Sequence, residues 1–157
     1  MAENPSDFTT LIPELPAWNN GNGIAPEAWI GCVGNYSLAV GYSLVFWPRF
    51  ERFGRYVFRT GAFTAETVRD WERACAGDRQ RIEAVVNHLH VLDLHFDEQA
   101  SEAQLRYLGR TLRAIYAAKL ALDFPDLEFA VSFDDEPGLD LSDYELTFWQ
   151  VDESRSG

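Results

Sequence analysis

The chain has 157 residues, 46% hydrophobic and 14% aromatic, with a formal net charge of −12. This composition supplies one buried core and excludes an intrinsically disordered chain. Two cysteines, Cys32 and Cys75, are too few for a disulfide framework, and "MAENPSDF" carries no secretory signal, so a reducing, cytoplasmic compartment is expected.

Residues 1–25 hold three prolines, two glycines and four asparagines around isolated apolar residues, and read as an irregular N-terminal arm. "AWIGCVGNYSLAVGYSLVFW" (28–47) follows without a single charge, flanked by Trp29, Trp47 and then Arg49, Arg52 and Arg55. It is long enough to span a bilayer. Its inner pattern speaks against that. From Tyr36 to Phe46 every second residue is large and apolar, while Ser37, Ala39, Gly41 and Ser43 are small or polar. Period two predicts a strand over 36–46, with "WIGCV" (29–33) as its neighbour across a Gly34-Asn35 turn. No membrane role is expected.

Beyond Pro48, "RYVFR" (55–59) alternates again and predicts a strand. Thr64 caps a helix over 64–76 that carries Val68, Trp71 and Cys75. Gly77 ends it, and Asp78 caps a second helix whose apolar residues Ile82, Val85, Val86, Leu89 and Leu92 form one stripe over 79–92. Ser101 with Gln104 reads as a capping box that opens a third helix, 101–122, with Pro125 beyond its end. "LEFAVSF" (127–133) and 144–150 return to alternation and form an antiparallel hairpin around a loop containing Pro137-Gly138. The expected fold is α+β: a single domain over 26–153 with a short tail, 154–157. Its mostly antiparallel sheet carries about three helices on one face.

Charge is unevenly placed. Residues 1–119 hold 14 acids and 12 bases, whereas 120–157 hold 11 acids and only Arg155. Asp134, Asp135, Glu136, Asp140 and Asp143 crowd the hairpin loop. Their spacing does not match a calcium loop. It suits electrostatic capture of a basic protein partner. The size, the α+β build and the acidity resemble, in class, small bacterial immunity proteins and inhibitors that cap basic toxins. No particular residue carries that resemblance. It implies a non-enzymatic protein-binding module that needs no cofactor.

Two alternatives compete. "NHLHVLDLHF" (87–96) holds every histidine: His88, His90 and His95. On a helix, His88 and His95 lie about 10.5 Å apart along the axis, too far to share a metal. As a strand, His88 and His90 form an H-x-H pair that, with Asp93 or Asp97, suits a metal-assisted or acid–base enzyme. The apolar stripe favours the helix. The second alternative is nucleic-acid binding through eight arginines between residues 49 and 81, set against five acids. The interleaved acids and the overall charge oppose it, and the same arginines suit the acidic tail of a second copy in a homodimer. "GYSLV" lacks the second glycine of a nucleophile elbow, and no phosphate loop, G-x-G-x-x-G or C-x-x-C is present.

Overall fold

The computed structural model describes residues 7–96 and 99–152. The chain divides into two compact units at Ser43–Leu44, where the sequence reading ended its arm at residue 25. The fold is α+β, with all strand pairs antiparallel.

The first unit is helical. A 3-10 turn at Leu15–Ala17 leads into a single turn, Trp18–Gly21 (α1), in which Asn19 and Asn20 both take left-handed backbone angles. Asparagine tolerates that conformation better than most residues. Helix α2 (Pro26–Val33) opens on a proline, whose missing N–H costs nothing at that position. Helix α3 (Tyr36–Phe46) is capped by Asn35, whose side-chain oxygen accepts from the Leu38 N–H at 2.9 Å.

The strands expected over 29–33 and 36–46 are therefore helices. The reason lies in what period two does on a helix. Steps of about 200° place Tyr36, Val40 and Leu44 on one side and Leu38, Tyr42 and Phe46 on the other. The alternation describes two opposite apolar stripes as well as it describes one strand face. Between them, as far as Ser43, lie Ser, Ala and Gly rather than the β-branched residues a strand prefers, and only Val45 departs from that. Both stripes are largely exposed, with Val40 63% and Leu38 49% exposed, although Phe46 at the C-terminal end packs on the core. Among the described residues, no helix is long and apolar enough to cross a membrane.

The second unit begins with the last turn of α3. Strand β1 (Phe50–Phe53) pairs with β2 (Tyr56–Arg59) in a tight hairpin. Helix α4 (Ala65–Ala74) starts at a Thr64–Thr67 capping box, as the Thr64 signal indicated. Helix α5 (Arg79–Val86) starts at Asp78, whose carboxylate accepts from the Arg81 N–H. It ends six residues sooner than the apolar stripe implied. Asn87 terminates it, and its side chain is occupied elsewhere: Oδ1 accepts from the Arg59 N–H at 2.9 Å and Nδ2 donates to the Val57 carbonyl at 3.0 Å. Leu89–His90 then forms a short strand, β3, followed by a 3-10 turn at Val91–Leu94. The stripe continued at helical spacing because Leu89, Val91 and Leu92 all serve the core from an extended segment and a tight turn.

Helix α6 (Glu102–Asp123) opens on the Ser101–Gln104 capping box, as expected. Strands β4 (Phe129–Phe133) and β5 (Glu145–Gln150) form the hairpin, with Val131 opposite Phe148 and Phe133 opposite Leu146. Strand β3 joins the other edge of β5, giving the order β3-β5-β4. Leu146 and Phe148 are fully buried with Leu112, Tyr116 and Leu120 of α6. Thr147, on the opposite side of β5, donates to the Ala84 carbonyl of α5 at 2.6 Å. The helices thus do not share one face of the sheet, as had been expected. Gly109 of α6 lies under the Phe133 ring, where a Cβ would fall about 2.0 Å from Cζ.

A buried polar bridge joins the two sheets. Glu83 is fully buried, and its carboxyl oxygens accept from the Val57 N–H of β2 at 2.8 Å and the Gln150 N–H of β5 at 2.7 Å. The Gln150 amide donates to Glu83 and to the Arg55 carbonyl. Glu83 and Asn87, one helical turn apart, together satisfy the free edge of β2. Side chains from α5 stand where another strand would pair.

Candidate functional site

The β4–β5 connection places Asp134, Asp135, Glu136 and Asp143 around one hollow of about 520 Å³, with Phe133 and Leu139 also lining it. Asp140 does not line it, although it is exposed in the same loop. The four sequence-predicted acids that do line it play two different parts.

Asp135 is an anchor. Its carboxylate accepts from Arg106 Nε at 2.8 Å and Arg110 Nε at 2.5 Å, and Arg106 also donates to the Asp135 carbonyl. Partial burial pushes the Asp135 carboxyl up, but hydrogen bonds from Arg110 and Arg106 outweigh it and hold the group below its ordinary value. The loop is held further by Glu102, which accepts from the Gly138 N–H at 3.1 Å, and by the Tyr144 hydroxyl, which donates to the Glu136 carbonyl. These supports come from α6 and from Tyr144, the residue before β5.

Asp134, Glu136, Asp140 and Asp143 are exposed, and none has an ion-pair partner among the described residues. The loop therefore presents uncompensated carboxylates on a braced backbone. Hydrogen bonds to Asp135 and Gly138 fix the loop while its remaining acids face water. Sequence reasoning missed the braces. Arg106 and Arg110 stand four apart on a helix whose other side is apolar, and that spacing was the available signal.

The histidines lie elsewhere. His88 and His90 flank Leu89, and their rings meet edge to face with centroids 5.1 Å apart. His88 Nδ1 bonds with the Val85 carbonyl and His90 Nδ1 with the Ser142 carbonyl, each at 2.7 Å. Glu145, the ladder partner of His90, places Oε1 3.2 Å from the same His90 nitrogen. Asp93 is exposed in the 3-10 turn, and Asp97 lies outside the described residues. Among the described residues no three His, Cys, Asp or Glu side chains are grouped to hold a metal ion.

Four of the eight arginines of 49–81 bind acceptors within the chain. Arg52 meets Asp126 at 2.8 Å, Arg79 meets Asp152, and Arg73 meets Asp70. Arg55 donates to the Gly77 carbonyl at 2.5 Å. Two of these arginines thus reach acids of the C-terminal third intramolecularly. No family model, curated protein or solved structure matches the chain.

Proposed function

We propose that the protein is a non-enzymatic binding module whose acidic hairpin seats a basic side chain of a protein partner. The observation that carries this reading is the division of labour in the loop. Asp135 is tied down by two arginines while Asp134, Glu136 and Asp143 have no ion-pair partner among the described residues and stand around a hollow lined in part by Phe133 and Leu139. A lysine or arginine needs that combination, because its aliphatic stem packs on apolar surface while its charged head meets carboxylates. Holding the loop rigid before encounter lowers the ordering cost of binding. The surplus of acids in residues 120–157 steers a basic surface towards it. An inhibitor or immunity-like role in the cytoplasm fits this chemistry.

The test pairs the wild-type chain with the triple variant Asp134→Asn/Glu136→Gln/Asp143→Asn, leaving Asp135 in place. Both are immobilised, exposed to cell extract and eluted with rising salt. The reading expects one basic protein in stoichiometric amount on the wild type, released at moderate salt. Its retention should fall at least about tenfold on the triple variant, with an unchanged melting profile. Equal retention on both proteins would sink the assignment of the site.

A further inference from the structure

A second hollow, of about 190 Å³, lies in the larger unit beside the β1–β2 hairpin. Its chemistry is the reverse of the first. In a chain of net charge −12, this hollow has Arg49 and Arg59 in its lining and no carboxylate. Among the described residues neither arginine has an ion-pair partner, in contrast to Arg52, Arg73, Arg79, Arg106 and Arg110. Arg59 Nε is a buried donor with no hydrogen-bond partner, and no other buried side-chain nitrogen or oxygen among the described residues is in that position. A buried donor on a charged group that lacks an acceptor is costly to the fold. Arg59 lines the hollow, so an acceptor bound there meets its guanidinium charge.

The rest of the lining says what kind of acceptor fits. Val45, Leu89 and Leu94 give apolar wall, while Thr60 and the buried Tyr116 add hydroxyl-bearing side chains. The charge of Arg59 is felt at the Tyr116 hydroxyl, where it opposes the rise that burial causes. Arg59 is also well seated, since its own N–H is fixed by Asn87 and its strand by β1. A guanidinium edge presents parallel donors that match the two oxygens of a carboxylate. At about 30 Å³ of liquid volume per water, the hollow has room for roughly six waters. That room matches a small acid better than a nucleotide.

We propose that this hollow is a binding site for a small monocarboxylate, with its carboxylate on Arg59 and Arg49 and its apolar end against Val45, Leu89 and Leu94. The inference is independent of the acidic hairpin.

The experiment titrates the full chain with benzoate and hexanoate and, as neutral isosteres, benzamide and hexanamide. Sodium phosphate and sodium chloride complete the set. Binding is read from the Arg59 Nε–H resonance by NMR and from calorimetry. At least one carboxylate should saturate in the micromolar to millimolar range and shift that resonance, with its amide at least about tenfold weaker. Arg59→Gln should abolish saturation. Should that variant fail to fold, Arg49→Gln, at an exposed position, is expected to weaken the carboxylate several-fold. The proposal is overturned if neither carboxylate moves the Arg59 resonance, if phosphate or chloride does so equally, or if amide and acid bind alike.

Discussion

Helix α3 and strand β5 carry the same written pattern and adopt opposite structures. Tyr36–Phe46 and Tyr144–Gln150 both set a large apolar residue at every second position. In β5 and the residue before it that set is Tyr144, Leu146 and Phe148, each fully buried, alternating with Glu145, Thr147 and Trp149. In α3 the residues between are Ser, Ala, Gly, Ser and Val, four of the five small, and much of the large set is exposed. The difference teaches that alternation specifies a strand only when the intervening residues also suit one and partner strands wait on either side. β5 has both partners, β3 and β4. α3 has instead an asparagine cap at its start.

Truncating equivalent positions breaks the comparison most directly. Phe148→Ala opens a cavity against Phe50, Phe129 and Tyr116 and should cost about 3–5 kcal/mol in urea unfolding. A cost below about 1 kcal/mol would mean that β5 is not the core strand described. Next in size, Asn35→Ala removes the cap of α3 and should destabilise that helix by about 1 kcal/mol. It should be visible as faster hydrogen exchange of the 38–46 amides with the β5 amides unchanged.

Acid distinguishes the two regions next. Asp135 braces the β4–β5 loop with a carboxyl held below its ordinary 3.8. The stabilisation is complete above that ordinary value and is lost as pH falls through the lower folded one. Going from about pH 5 to about pH 2 should therefore loosen the loop by about 1 kcal/mol or less. Asp135→Asn should flatten that part of the acid profile. Helix α3, with no charged residue, should not respond through its own side chains. Smallest of all, Val40→Ala at an exposed position should change stability by no more than about 0.5 kcal/mol. A large loss there would show that α3 is covered in solution.

Local chemistry was the legible part of the fold. The caps at Thr64, Asp78 and Ser101 and the alternation of 129–133 and 144–150 declare themselves within a few residues. What was hidden depended on distant partners. Nothing near Asn87 says that Val57 and Arg59 will occupy its side chain and end α5 there. Nothing in 36–46 says that its two stripes will stay uncovered by strands. At the acidic hairpin the cluster itself was visible. Which acid is a brace and which face solvent depended on Arg106 and Arg110, some 25–29 residues away.

The bridge through Glu83 has a consequence in time rather than in space. Its two acceptor oxygens serve residues 57 and 150, on opposite sides of it in the sequence. During synthesis the α4–α5 pair and the β1–β2 hairpin can form early from local contacts. Glu83 then lacks its Gln150 partner, and Asn87 Nδ2 its second acceptor, the Phe148 carbonyl at 3.4 Å, until β5 has left the ribosome. Until that moment the nascent chain keeps a hydrated carboxyl group at the place where its core will close. The larger unit is therefore expected to lock late and in one step, its two sheets committed together by the arrival of the last strand.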